Sequence, residues 1–232
     1  MLYSAKDVEA QVNRWGFLPF FAGEIEGFSI EELISPDYWF PDGTVEGVWE
    51  WKNDIIIDGD CAYGKFYRNK ACFISMEWFP DFANWRRSLY VPSSDEQAIL
   101  SAVVEKGSLL SRELKRLCGY TAQPRRRGGN PIERAAVKVE PAPKPIRRGF
   151  DSAIARLQMG CQLLSATFEY NYDREGQRYG WSIARYCTPE EFFGEDRMFV
   201  PRTPEESRRR LVSHLSALLH HATDKQVARI VD

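Results

Sequence analysis

The chain has 232 residues, a length that fits one large domain or two small ones. Hydrophobic residues make up 44% of it and charged residues 28%, which excludes global disorder, a collagen-like chain and a coiled coil. The net charge is −2, from 31 basic and 33 acidic residues, so a uniformly basic nucleic-acid binder is excluded whereas a local basic patch is not.

The cysteines and the N-terminus indicate the compartment. Five cysteines lie too far apart for a CxxC pair, and their odd number does not support a disulfide framework, so we expect small, buried, free thiols: Cys61, Cys72, Cys118, Cys161 and Cys187. The opening MLYSAKDVEAQ lacks the basic and apolar regions of a signal peptide, and no apolar stretch is long enough to span a bilayer. We therefore expect a cytoplasmic protein without a membrane partner.

Residues 1–92 are predicted to form an N-terminal α+β region with a β-hairpin. Ser4 and Ser29 stand where a serine caps the start of a helix. Residues 45–76 are rich in aromatic and β-branched side chains and are predicted to be β structure throughout. Within them, Arg68-Asn69-Lys70 is expected to be the turn of a hairpin with a basic tip, and a short helix is expected over residues 78–87.

Residues 93–195 show the order helix, helix, insertion, helix, strand, turn, strand. Ser94, Ser111 and Asp151 are predicted to cap the starts of three helices, each ending near a glycine. Alternating polar and apolar residues predict strands over 162–172 and 178–187.

This order of elements, without the insertion, is that of a winged helix-turn-helix. In that fold the third helix lies in the major groove of DNA and the hairpin, or wing, contacts the phosphate backbone. The predicted fold class is therefore α+β: a winged helix-turn-helix with an N-terminal α/β extension and C-terminal helices over residues 196–232, where Thr203-Pro204 is a strong helix start.

The insertion, residues 120–149, differs from the rest of the chain in composition. It holds five of the thirteen prolines, and eight basic against two acidic residues give it a net charge of +6. Such a segment buries too little apolar area to offset its ordering entropy, so we expect an extended loop. A basic loop beside a DNA-binding helix would gain affinity by releasing counterions, and the alternative is a linker kept hydrated by its charge.

The winged-helix interpretation selects candidate DNA contacts. Ser152, Arg156 and Gln158 lie on the third helix, where Arg and Gln can read base edges. The remaining candidates are basic residues of the second helix, the wing and the insertion: Arg112, Lys115, Arg174, Arg178, Arg125, Arg126 and Arg127. Winged helices also dock proteins, and then a partner protein would cover the third helix; both partners remain open at this point.

A second candidate site is the cluster Trp49-Glu50-Trp51-Lys52 with Asp54, of which Trp49, Trp51, Lys52 and Asp54 are the candidate pocket residues. Two indoles could stack on an extruded base while a carboxylate acts on water, although alternating tryptophans on a strand are also typical of a half-buried core. The three histidines are His214, His220 and His221, and their spacing does not match a metal site. No phosphate-binding loop or GxGxxG motif predicts a nucleotide cofactor, so no cofactor is expected.

Three stretches carry a resemblance to a known family: WEWKNDIIIDGDCAYGKFYRNKACFISMEWFP, SRELKRLCGY and FDSAIARLQMGCQLLSATFE. Together they resemble the short AlkZ-related proteins, bacterial relatives of the winged-helix DNA glycosylases that unhook interstrand crosslinks. The resemblance covers about residues 45–195 and implies a winged-helix architecture and a role near DNA, in repair. It departs in one respect, since the glycosylases carry an early Gln-x-Asp or Gln-x-Gln motif that positions the hydrolytic water, and this sequence contains neither triplet. Glycosylase activity is therefore not carried over with the resemblance.

Overall fold

The computed structural model describes residues 1–41, 45–58, 60–121 and 149–232. Their fold mixes helices and strands, which confirms the α+β class. The strands are β1 (Phe17–Pro19), β2 (Cys61–Tyr67), β3 (Lys70–Ser75), β4 (Ser108–Leu110), β5 (Leu164–Tyr172) and β6 (Arg178–Cys187). The helices are α1 (Ala5–Trp15), α2 (Ile30–Leu33), α3 (Pro36–Trp39), α4 (Val48–Ile57), α5 (Phe79–Leu89), α6 (Ser94–Lys106), α7 (Ser111–Leu117), α8 (Phe150–Met159), α9 (Pro189–Phe193), α10 (Glu195–Met198), α11 (Pro204–Leu218) and α12 (Asp224–Val231).

The first sheet is antiparallel, with the order β1-β3-β2. The predicted hairpin of β2 and β3 is confirmed, and its turn residues Arg68 and Asn69 both have positive φ, 53° and 59°, as a type I′ turn requires. The predicted serine caps are also confirmed, because the Ser4 hydroxyl accepts from the Asp7 amide and the Ser29 hydroxyl from the Glu32 amide.

The prediction of β structure from residue 45 onward is wrong for α4. Residues 48–57 form a helix that buries its apolar residues at the spacing i, i+3, i+7, i+8: Val48, Trp51, Ile55 and Ile56. That is the period of a helix and not of a strand, so the period outweighed the β propensity of the individual residues. The tryptophans of this segment therefore do not alternate on a strand.

The second sheet has the order β4-β6-β5, and α6 and α7 pack beside it, whereas α8 packs on α6 and on β2 of the first sheet. A common apolar core joins the residues before the insertion to those after it: Ile99, Leu100, Val103, Leu109, Leu114, Phe150, Ala153, Ile154, Leu157 and Leu163. Strand β4 was not predicted, and it pairs with the end of β6. The observed caps lie slightly before the predicted ones: Ser93 caps α6 and Leu110 caps α7, each one residue early, and Gly149 caps α8, two residues before Asp151.

Helix α12 packs on α11, and α11 packs on α5 together with the short α10. The buried carboxylate of Asp81 fixes this contact, because Arg202 Nε donates to it at 2.9 Å and the Ser207 hydroxyl at 2.7 Å. The largest apolar cluster contains residues from all three predicted regions, for example Phe17, Leu164 and Leu211. The division at residues 92 and 195 stays a prediction.

None of the five cysteines, all of which lie in the described residues, forms a disulfide; four are buried and Cys118 is half-buried. Burial raises the pKa of the Cys72, Cys161 and Cys187 thiols to about 12, so these sulfurs are poor nucleophiles at neutral pH. Within the described residues, no helix combines the length and the apolarity that crossing a bilayer requires.

Candidate nucleic-acid interface and aromatic cleft

Helix α8, the predicted DNA-reading helix, has little free surface. It packs against β2 as well as α6, and six of its ten residues are buried. Gln158 is one of them: its amide oxygen accepts from the Lys65 amide at 3.2 Å, and its amide nitrogen donates to the Ser165 hydroxyl at 3.0 Å. This side chain joins the two sheets and lacks the exposure that reading a base edge requires. Ser152 is exposed.

Arg156 is exposed but already has a protein partner. Its Nε donates to Glu96 Oε1 at 2.5 Å, and the Glu96 side chain is 3% exposed. Glu96 is desolvated, which raises its pKa, but hydrogen bonds from Ser93, Tyr90 and Arg156 outweigh this and hold the pKa at about 2. Arg156 therefore neutralises a buried carboxylate, and its contact with DNA stays a prediction.

The other basic candidates lie on α7 and on the hairpin of β5 and β6, the predicted wing, for which the name wing is kept below. Arg112 of α7 donates to the Asn171 side chain of β5 at 2.9 Å, so it lies beside the wing. Lys115 lies 3.3 Å from the Asp151 carboxylate, which partly neutralises it. Arg174 is exposed in the turn between β5 and β6. Arg125, Arg126 and Arg127 lie outside the described residues.

A cleft of about 440 Å³ lies between α4 and the wing. Helix α4 contributes Trp49, Glu50 and Lys52, and the wing contributes Phe168, Tyr170, Arg178, Gly180, Trp181 and Ser182. Four of its nine lining residues are aromatic, and its volume lies in the range of small-ligand sites.

A bulge in the wing forms one edge of this cleft. The pairing of β5 with β6 shifts between Glu169, opposite Ile183, and Asn171, opposite Tyr179, so three residues of β6 stand against Tyr170 alone. Gly180 takes a φ of 71° there, a conformation that a residue with a Cβ rarely adopts. The next residue, Trp181, is 90% exposed. Bulges redirect side chains and are over-represented next to binding sites.

Asn53 holds the two walls together. Its side-chain oxygen accepts from the Phe168 amide at 2.8 Å and from the Thr167 hydroxyl at 2.9 Å. Because Asn53 follows Lys52 directly, this bond fixes α4 against β5 next to the cleft. The sequence gives no sign of this contact, since the two partners are more than a hundred positions apart.

Opposite charges lie at the mouth of the cleft. Arg178 lies 3.6 Å from the Glu50 carboxylate, and its guanidinium stacks on the Tyr170 ring. A guanidinium held on an aromatic face is positioned for a phosphate or a carboxylate. Tyr170 did not belong to the predicted site residues, whereas Glu50 lies within the predicted cluster Trp49-Glu50-Trp51-Lys52.

Lys52 is the ionisable group deepest in the cleft. It is 8% exposed, and its Nζ lies 4.3 Å from the centre of the Phe168 ring and 5.3 Å from that of Trp49. Desolvation lowers the pKa of this amine, the Glu50 charge raises it, and Arg178 lowers it further, with a net decrease. Within the part of the chain that the structure describes, no carboxylate forms an ion pair with Lys52.

The structure thus separates the four predicted pocket residues. Trp49 and Lys52 line the cleft, and Trp49 is oriented by the hydrogen bond from its indole nitrogen to the Trp39 carbonyl, at 2.9 Å. Trp51 is buried on the other side of α4 against Tyr38. Asp54 is exposed and does not line the cleft. Among the residues described, no three His, Cys, Asp or Glu side chains are grouped as metal ligands.

These features define a class of protein: an α+β chain with a three-helix and hairpin unit whose wing forms an aromatic cleft with an N-terminal helix. The family model described as "AlkZ related" matches residues 2–232, and the chain belongs to that family. Membership relates it to the glycosylase-like proteins of DNA repair. The searches of curated proteins and of solved structures gave no match.

Proposed function

We propose that this protein acts in DNA repair, that its three-helix and hairpin unit is a winged helix, and that the cleft beside the wing receives an unstacked nucleobase. The element order α6-β4-α7-α8-β5-β6 and the sheet order β4-β6-β5 support the winged helix. The DNA is held by the wing and not by α8, because α8 is largely covered by the rest of the chain. Arg112, Arg174 and Arg178 are the basic residues that line this path.

One observation carries the proposal: a bulge holds Trp181 in water at the mouth of a cleft that is walled by further aromatic rings. An indole has a large apolar surface, and burying it would stabilise the fold. Because nine-tenths of the Trp181 side chain is exposed, the fold gains no such stability from it. Every nucleobase has a π face, so stacking on such a ring is favourable and tolerant of sequence. A base extruded from a damaged duplex fits this chemistry.

The test compares two DNA duplexes, one fully paired and one with a single unpaired base, by fluorescence anisotropy. We expect the wild-type protein to prefer the second duplex. Stacking is worth about 1–3 kcal/mol per base, so Trp181→Ala is expected to weaken that binding about 5- to 150-fold. Phe199→Ala is the matched control, since Phe199 is 73% exposed and lies outside the cleft.

Equal affinity for the two duplexes, or equal binding by the wild type and the Trp181→Ala variant, would contradict the proposal. Docking of a protein on the wing aromatics is the other reading of the same exposure, and it predicts no preference between the duplexes. A protein that covers α8 is disfavoured, because β2 and α6 already cover most of that helix.

A further inference from the structure

Lys52 is an amine in surroundings where an amine becomes a nucleophile. It lies in a cleft with aromatic walls, between the rings of Trp49 and Phe168, with little contact with water. A lysine that serves only to bind phosphate is expected at an exposed edge, where its charge is hydrated. A lysine that is desolvated in an apolar pocket attacks carbonyl carbons and forms imines.

We propose that Lys52 attacks the aldehyde of an abasic site in DNA and cleaves the strand by β-elimination. This inference rests on the proposed function, because it needs a damaged nucleotide in the cleft. An abasic deoxyribose in its open form carries an aldehyde at C1′, and loss of the base leaves the space that the base occupied. The reaction needs no oxidant, reductant or metal.

The first half of the reaction forms the imine. The lone pair of neutral Nζ forms a bond to C1′, and the carbonyl electron pair moves to oxygen. The oxygen takes up two protons, one of which comes from the attacking nitrogen and one from solvent, and leaves as water. The product is a protonated imine that links Lys52 to the DNA.

The second half breaks the strand. The Glu50 carboxylate, which lines the same cleft, is the group placed to accept a proton from C2′. The electron pair released at C2′ forms a double bond to C3′, and the C3′–O bond breaks so that the phosphate leaves with its electron pair. Addition of one water to the imine then frees the Lys52 amine and an unsaturated aldehyde.

The test uses the full chain and a labelled duplex with one abasic site. Borohydride, added as the external reductant, converts the protonated imine to a stable amine, so an enzyme–DNA adduct appears on a denaturing gel. Lys52→Arg keeps the positive charge and removes the nucleophile, and we expect it to reduce the adduct and strand cleavage more than about tenfold while still binding the duplex. Lys6→Arg, at an exposed lysine of α1, is the matched control and is expected to behave as wild type.

A second readout is the pH dependence of adduct formation. The groups that face the amine are Glu50 of α4, Tyr170 of β5 and Arg178 of β6. Because the neutral amine reacts and its pKa is below the ordinary 10.5, the rate is expected to rise with pH and to level off below that value. Glu50→Gln is expected to leave the adduct but to slow cleavage.

The outcomes separate this inference from the proposed function. If the wild type prefers the duplex with an unpaired base but yields no adduct, the cleft binds bases and the lyase inference is wrong. An adduct that persists in Lys52→Arg, or that peptide mass spectrometry locates on another lysine, also overturns it. If the wild type binds neither DNA, the proposed function fails and this inference fails with it.

Discussion

The substitution Arg156→Ala separates a structural arginine from a DNA contact. The Glu96 side chain, which is 3% exposed in the wild type, loses its cation. Removing one partner of a fully buried pair costs about 3–5 kcal/mol. Arg156 is 54% exposed, and Glu96 keeps its hydrogen bond from the Ser93 amide at 2.8 Å. The expected loss of stability is therefore that of one charged hydrogen bond, about 1.5–3 kcal/mol.

The assay is urea unfolding at pH 7, combined with DNA binding at several salt concentrations. We expect Arg156→Ala to lower the free energy of unfolding by about 1.5–3 kcal/mol and to leave the salt dependence of binding unchanged. Arg174→Ala is the matched variant on the wing. It is expected to change stability by less than about 0.5 kcal/mol and to reduce the slope of log K against log salt by about 0.9, the value for one phosphate contact.

The reasoning is refuted if the two variants exchange their effects. An Arg156→Ala protein that is as stable as wild type but binds DNA with a smaller salt slope would show that Arg156 contacts phosphate and that Glu96 does not need it. If the Arg174→Ala protein binds DNA with the wild-type salt slope, the tip of the wing does not contact the DNA backbone.

Two further predictions concern stability. The pKa of Glu96 is depressed, so the stability that its ionised carboxylate contributes is complete above its unfolded pKa of 4.5 and is lost as the pH falls toward about 2. Glu96→Gln is therefore expected to destabilise the protein at pH 7 but to flatten its acid unfolding between pH 5 and 2. The control Glu175→Gln, at an exposed turn, is expected to follow wild type. Asn53→Ala removes two hydrogen bonds of about 0.5–1.5 kcal/mol each, so urea unfolding is expected to show that the free energy of unfolding falls by about 1–3 kcal/mol. The control Asn13→Ala, on the exposed face of α1, is expected to show no loss. An Asn53→Ala protein as stable as Asn13→Ala would mean that α4 does not depend on this contact.

Elements with a local signal could be predicted from the sequence. Strand β6 was predicted with its observed bounds, because alternation and the turn before it are both local features. The start of α11 was predicted from Thr203-Pro204, because a capping residue and a proline at the first position act on the adjacent backbone. Strand β4 has three residues, too few to show a period, and it exists through its pairing with β6.

The contacts of the site had no local signal. That Gln158 is buried depends on β2, which lies against α8 although the two are about ninety residues apart in the chain. That Arg156 is paired depends on a carboxylate in α6. Both residues look like surface polar groups on an amphipathic helix, and only the packing of a second element on that helix distinguishes a core contact from a DNA contact.

The secondary structure of residues 48–57 decides which side chains share a site. On a strand, Trp49 and Trp51 would lie on one face and Lys52 on the other, so a base stacked between the indoles would not meet the amine. On a helix, positions 49, 52 and 53 share a face, and Trp51 turns into the core. Trp49 and Lys52 therefore face the wing together, with Asn53 bonded to β5 beside them. The combination of an aromatic wall and a desolvated amine follows from the helical period of this segment, and a variant that replaced α4 with a strand would lose both.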